Sequence, residues 1–307
     1  MDIYLPIAGM SINFFLVLGI GGLVGFLSGL FGIGGGFLLT PLLIMIGIPP
    51  TVAAASDSNQ IVAASASGVC AHLRRGNVDF RMGLLLLSGG IVGGSLGVQL
   101  IKWLRHTGNA DFFIRMCYVV MLGIIGSYMF VESFDKLRPG SRPGPAAPRE
   151  SKGWFGRISD RLPYRIRFER SGVTMSPVIP ALFGIFVGVL SAIMGVGGGF
   201  IMVPVMVYML RMPMHVVVGT SLFQIMFTSV NITFMQAYSN HTVDFVLALL
   251  LMVGSALGAQ VGARLGSRLK GDQLKILLSV IVLVVMCKML FDLALSPVSR
   301  LAPAGGH

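Results

Sequence analysis

Charge is scarce in this chain. Only 11% of its 307 residues are Asp, Glu, Lys or Arg, and the acids number twelve. Soluble globular domains carry about a quarter, so that class is excluded. Cysteine is scarce too. Cys70, Cys117 and Cys287 have neither metal-ligand nor redox spacing and read as small packing residues. The short alternating strands of a membrane barrel are missing. So are His-Glu-x-x-His, a Gly-Lys-Ser/Thr nucleotide loop and a dinucleotide fingerprint, and the five histidines form no ligand cluster. The one hydrolase-like match, "GGSLG" at Gly93 to Gly97, lies in an apolar helical run rather than a strand–turn–helix and reads as helix packing. No enzyme activity, cofactor or metal is expected.

What the chain does have is apolar length. Hydrophobic residues make up 54%, in uncharged runs of about 20 residues, each long enough to span a hydrocarbon core of roughly 30 Å. The fold class is an all-α polytopic membrane protein, with the lipid bilayer as its first partner. The net charge of +11 does not indicate nucleic acid. Ten of the 23 Lys/Arg lie between Lys136 and Arg170, and the others fall mostly between apolar runs, as positive-inside placement requires. The start, "MDIYLPIAGMSIN", lacks a basic region before its apolar run, so no cleaved signal peptide is expected.

The chain reads as two copies of one unit. "GFLSGLFGIGGGFLLTP" from Gly25 is matched by "GVLSAIMGVGGGFIMVP" from Gly188, at an offset of 163. "ASDSNQ" then aligns with "GTSLFQ", "NVDF" with "TVDF" and "GGSLGVQ" with "GSALGAQ". The organisation is a first transmembrane repeat at 1–133, a basic, Pro-rich linker at 134–174, a second repeat at 175–295 and a tail at 296–307. Each repeat has about four hydrophobic segments, the first broken at its Gly-rich motif. The stretch "YRIRFERSG" in the linker alternates with period two and suggests a short strand or an extended surface segment. The loop charge switches between copies, from His72 to Arg81 in the first to Arg264 to Lys275 in the second. That favours inverted copies, which need an odd number of crossings, and a first segment that folds back or crosses twice would supply one.

Four glycines within Gly32 to Gly36 interrupt 37 uncharged residues, Ser11 to Gly47. Glycine costs about 1 kcal/mol against alanine inside a helix, so the group disfavours a continuous helix by roughly 3–4 kcal/mol. Each long segment therefore reads as two half-helices. The second half-helix starts inside the protein with unpaired N–H groups and a positive dipole end, an anion site made from backbone. Its candidate residues are Gly34, Gly35 and Gly36 in one copy and Gly197, Gly198 and Gly199 in the other. The next segment adds a polar face: Ser56 and Gln60 in the first copy, Thr220, Gln224 and Asn231 (with Thr228) in the second. These residues can offer donors to an oxoanion or hold helices together. Asp57 breaks the symmetry, since its counterpart is Ser221. It is the coupling candidate, for H⁺ or Na⁺, unless it lies at the headgroup interface and does neither. Lys288 is expected to snorkel to an interface.

With "FLSGLFGIGGGFLLTP", "VLSAIMGVGGGFIMVP" and "GTSLFQ", the chain resembles the TauE/SafE family of sulfite exporters, also described as 4-toluenesulfonate uptake permeases. The resemblance covers both repeats. It implies a multi-pass secondary transporter of small sulfur oxoanions, sulfite or an organosulfonate, in the bacterial inner membrane, with export the expected direction and alternating access the mechanism. "ASDSNQ" departs from the "GTSLFQ" pattern at Asp57, Ser58 and Asn59. The residues themselves point only to a small anionic substrate. An anion channel, a carrier for another anion and a non-transport assembly or scaffold protein remain as alternatives, and a homodimer is left open.

Overall fold

A computed structural model describes residues 2–31, 36–74, 76–137, 166–168, 170–210, 212–266 and 271–295. Gly34 and Gly35, most of the linker and the 296–307 tail lie outside these residues. The described chain is mostly helical, with two short antiparallel hairpins. One pairs β1 (Asp2–Leu5) with β2 (Met10–Asn13); the other pairs β3 (Ile166–Phe168) with β4 (Val173–Met175). The second hairpin takes in the described part of the linker's period-two stretch, 166–168 and 170–172. Each turn carries a left-handed glycine, Gly9 at φ 67° and Gly172 at φ 65°, whose N–H donates to the carbonyl four residues back at 2.9 Å.

A helical series follows each hairpin. After β2 come α1 (Phe14–Phe31), α2 (Gly36–Met45), α3 (Pro50–Arg74), α4 (Phe80–His106) and α5 (Ala110–Leu137). After β4 come α6 (Val178–Met194), α7 (Gly199–Pro204, running on as a π-helical turn to Met209), α8 (Met214–Met235, likewise extended to Asn240), α9 (Phe245–Gly266) and α10 (Gly271–Leu295). Five helical stretches, in α4, α5, α8, α9 and α10, are long and apolar enough to cross a membrane. Phe14–Ser28 of α1, and the whole of α2 and α6, are apolar but shorter. α3 is less apolar because of Ser56 to Gln60, and those side chains face protein, with Ser56 and Asp57 fully buried. The outer faces are greasy instead. Ile124 on α5 and Val284 and Phe291 on α10 are each more than 60% exposed, as a lipid-facing surface requires.

Every major packing pair joins an element before the linker to one after it: α1 with α9, α4 with α6, α3 with α8, and α5 with α10. Two of these pairs approach at backbone distance. A Cβ on Gly93 would overlap the Ile185 carbonyl, and one on Gly184 the Leu86 carbonyl. On the other side, Gly25 meets Ser255 and Gly258 meets Gly22 in the same way. Packing through small residues is how membrane helices gain close contact without a hydrophobic driving force.

The ends of the bundle are tied by two matching aspartates. Asp79 is the N-cap of α4. Its Oδ1 accepts from Met82 N–H (3.1 Å), its Oδ2 from Ser171 N–H (3.1 Å) and Oγ–H (2.5 Å), and its own N–H donates to Thr220 Oγ1 (3.0 Å). At the other end Asp244 Oδ1 accepts from Leu247 N–H (3.1 Å) and Oδ2 from Ile7 N–H (3.0 Å), and its N–H donates to Ser56 Oγ (3.4 Å). Each hairpin thus docks on the aspartate of the opposite half. These contacts also fix where the chain turns. α1 departs from the Asp244 end after β2, and the chain is back there at Gly47, where a Cβ would stand 3.6 Å from Met10 Cε. α6 departs from the Asp79 end after β4, and the chain returns there at Gly219 and Thr220, beside Asn77 and Asp79.

Candidate functional site

The two Gly-motif segments meet inside the bundle. Phe37 and Phe200, which follow Gly36 and Gly199, stack with ring centroids 4.4 Å apart and planes 7° apart. Both segments also press on one side chain of α3. A Cβ on Gly36 would collide with Ile61 Cδ1, and one on Gly197 would lie 2.6 Å from Ile61 Cγ2 and 3.0 Å from Ile225 Cγ2. The region is packed, with Gly36 and all of residues 195–200 buried.

Between α6 and α7 the backbone is left-handed three times, at Gly195 (φ 73°), Gly197 (φ 68°) and Gly198 (φ 79°). Only glycine takes this conformation without cost. Gly195 N–H closes α6 by donating to Ser191 O (2.8 Å), and a Cβ there would overlap the Ala54 backbone of α3. Gly198 is the N-cap of α7, with no side chain capping it. Its carbonyl accepts from Ile201 N–H (3.1 Å) and Met202 N–H (2.7 Å). The N–H groups of Gly199 and Phe200 belong to the turn that has no intrahelical acceptor.

Asp57 lies against this centre. It is fully buried, and Oδ2 accepts from the Thr40 hydroxyl (2.8 Å). Oδ1 has no hydrogen-bond partner and faces Gly36, 3.3 Å from where a Cβ would stand. Among the described residues no Lys, Arg or His forms an ion pair with it. Next to it, Ser58 Oγ–H is shared between the carbonyls of Ala54 (3.1 Å) and Gly195 (3.4 Å). Tyr118 of α5, fully buried, donates its hydroxyl to the Met194 carbonyl, one residue before Gly195. Ser58, next to Asp57 in the chain, and Tyr118 thus each hold a carbonyl of the α6–α7 connection.

The other sequence-predicted residues spread outward from this point. Ser56 and Thr220 receive the aspartate N–H groups at opposite ends of the bundle. Gln60 Nε2 donates to Ser255 Oγ on α9, and Gln224 Nε2 to Thr228 Oγ1 (2.9 Å); both amide oxygens are buried without a partner. Asn231 Nδ2 donates to Ser95 Oγ (3.2 Å) and the Ile91 carbonyl (3.4 Å) of α4. The α8 stripe thus lies along the glycine face of α4, where a Cβ on Gly90 would be 2.6 Å from Thr228 Oγ1. Gly34 and Gly35 are outside the described residues. Thr40, Ile61 and Tyr118 are central here and were not singled out from the sequence. An open cleft of about 330 Å³, lined by Lys102, Arg105, His106, Ser239 and Asn240, lies at the end of α4 opposite Asp79 and contains none of the predicted residues. No group of three or more His, Cys, Asp or Glu among the described residues could hold a metal.

The chain is similar to known membrane proteins along most of its length. The family model described as "Sulfite exporter TauE/SafE" matches residues 17–289. A protein of Bacillus subtilis (strain 168), named "Probable membrane transporter protein YunE", is 23% identical over 294 residues, covering 92% of this chain and 98% of its own. A second from the same organism, "Probable membrane transporter protein YjnA", is 28% identical, covering 80% of this chain and 86% of its own. An Arabidopsis thaliana protein, "Sulfite exporter TauE/SafE family protein 2", is 32% identical over 100 residues, 33% of this chain and 16% of its own. No solved structure matches.

Proposed function

The chain belongs to the sulfite exporter TauE/SafE family of membrane transporters, and from that premise we propose that it carries a small sulfur oxoanion, sulfite or an organosulfonate, across the bacterial inner membrane, exporting it by alternating access. The observation that carries this reading is the buried, left-handed Gly195–Gly198 loop and the uncapped start of α7, stacked through Phe200 on Phe37. Glycine leaves backbone N–H groups open to an anion, and a helix start favours negative charge. In this reading Gln60 and Gln224 contribute donors, because rotating either amide exchanges an unpartnered oxygen for two N–H donors, while the Ser255 or Thr228 hydroxyl turns to donate in its place.

The folded-back segments support alternating access. If each segment starts and ends on one side, each half crosses the membrane an odd number of times, through α3, α4 and α5 or through α8, α9 and α10. The halves are then inverted copies, an arrangement suited to rocking one half against the other around a central site. Asp79, Arg74 and Arg170 mark the end from which the basic linker leaves, which positive-inside placement makes cytoplasmic. Asp57 is the coupling group.

The test is uptake of labelled sulfite, and separately of a two-carbon sulfonate, into proteoliposomes holding the full chain. A carrier gives saturable flux stimulated by substrate on the opposite side and reduced in Gly198→Ala. A channel gives flux without that stimulation. No flux of either anion from folded protein would overturn the sulfur assignment.

A further inference from the structure

The cleft at the far end of α4 gathers cations where the fold gives no reason for them. It is open, holds about 330 Å³, and is walled by Lys102, Arg105 and His106 of α4 and by Ser239 and Asn240 at the end of α8. With the Asp79 end cytoplasmic, as proposed above, positive-inside placement does not account for Lys102 and Arg105 at the opposite end. A helix C-terminus does favour cations in its last turn, but that attraction would hold Arg105 on its own helix. Its guanidinium crosses to α8 instead, where Nη1–H donates to the Asn240 carbonyl (2.6 Å). That bond uses one of its five N–H donors. Among the described residues no acid, Asp111 of the α5 first turn included, forms an ion pair with Lys102, Arg105 or His106. Asp244, which anchors this end of the bundle, is taken up by Ile7 and Leu247 N–H groups.

The floor of the cleft is held in place. α8 ends in the π-helical turn Gln236–Asn240, followed by His241 at φ 52°, a left-handed conformation uncommon outside glycine. Asn240 Nδ2 donates to Gln236 Oε1 (2.6 Å) and to the Val98 carbonyl of α4 (3.5 Å), and Gln236 Nε2 donates to the Ala192 carbonyl of α6 (3.4 Å). The carbonyl that Arg105 grips is therefore fixed. From the cleft a seam between α4 and α8 runs back along the bundle, tied where Asn231 Nδ2 meets Ser95 Oγ and the Ile91 carbonyl. Phe227, Phe234 and Tyr238 share a face of α8 with Asn231 and are exposed. Phe234 and Tyr238 stack in parallel, with centroids 6.1 Å apart. Trp103, next to Lys102, is 62% exposed and Tyr238 74%. Exposed Trp and Tyr mark the level of the membrane–water interface, so the cations stand at headgroup depth with an apolar track leading away from them.

We propose that this cleft binds the phosphodiester of an anionic phospholipid, with the phosphate on Arg105 and Lys102 and an acyl chain along the α4–α8 seam. Arg presents paired N–H groups that match two phosphate oxygens, and Lys supplies a point charge. Ser239 and His106 add a hydroxyl and a ring N–H. A soluble oxoanion would use the same donors but not the apolar track, and the track is what selects the lipid. The cleft contains none of the residues assigned to the anion path, so its occupation does not depend on the transport reading.

The experiment uses the full chain with Trp154→Phe, which leaves Trp103 as its one tryptophan, in vesicles of phosphatidylcholine and phosphatidylglycerol. Bromine on the acyl chains of either lipid quenches a tryptophan that it approaches. Brominated phosphatidylglycerol should quench Trp103 in preference to brominated phosphatidylcholine, by about fivefold in apparent affinity for each cation. Lys102→Gln and Arg105→Gln should each remove that factor, and Arg105→Lys, which keeps the charge and loses the fork, should remove less. Lys288→Gln, an exposed lysine of α10, should leave the preference unchanged. Lys102→Gln breaks no hydrogen bond among the described residues and serves if Arg105→Gln does not fold. Equal quenching by the two lipids, or a preference that survives Lys102→Gln and Arg105→Gln, overturns the proposal. Relief of the quenching by inorganic phosphate or ethanesulfonate, at an ionic strength matched with chloride, overturns it as well, because the cleft would then serve a soluble anion.

Discussion

Three glycines with nearly the same backbone conformation allow the packing of the α6–α7 loop to be measured by difference. Gly172, Gly198 and Gly195 have φ of 65°, 79° and 73°, so alanine at each carries the same left-handed penalty, about 1–2 kcal/mol. Their surroundings differ. A Cβ on Gly172, in the β3–β4 turn, meets nothing within 4 Å, so Gly172→Ala should cost only that penalty. On Gly198 it would stand 2.7 Å from Val187 Cγ1, with the next atom at 3.6 Å. A valine rotamer can move, adding about 0.5–1.5 kcal/mol. On Gly195 it would overlap the Ala54 backbone, which cannot turn aside. α3 or the loop must shift, adding about 1–3 kcal/mol for a total of roughly 2–5 kcal/mol. Unfolding free energies from detergent titration in mixed micelles give the comparison. The expected order is Gly172→Ala, then Gly198→Ala, then Gly195→Ala. Equal costs at Gly172 and Gly195 would refute the close approach of the loop to α3.

Other consequences can be checked in the same micelles. Asp79→Ala removes an N-cap and the bonds to Ser171, and should cost about 2–3 kcal/mol. Asp244→Ala should cost a similar amount at the opposite end, and a negligible loss at either would undo the docking of that hairpin. Phe37→Ala and Phe200→Ala should each cost about 3–5 kcal/mol. The double variant should fall short of their sum by about 0.5–1.5 kcal/mol, the worth of the ring stack, whereas strict additivity would mean the rings do not meet.

Membrane class was legible because apolar length is a local property of the chain. Which way the polar stripes face was not. Thr220 and Asn231 have the spacing of a binding face, yet their hydrogen bonds go to Asp79 and Ser95 of α4, a helix whose Gly83, Gly90 and Gly94 give no local sign of what they oppose. Tyr118 was equally silent, because its partner is a backbone carbonyl 76 residues away. The first hairpin escaped notice because strands of four residues carry little periodicity. Its one signal was a turn glycine, Gly9, at the same offset from Gly172 as the Gly motifs are from each other.

The cross-docking of the hairpins bears on how the chain is made. Ile7 and Asp244 are separated by 237 residues. At about 5–20 residues per second, the ribosome takes on the order of 10–50 s to deliver the second after the first. Throughout that interval α1 sits in the bilayer with its glycine stripe facing lipid or a holding protein, because α9 does not yet exist. The first half therefore has no finished structure to reach on its own, and insertion must be a process that keeps early helices unpaired and available until the last third of the chain arrives.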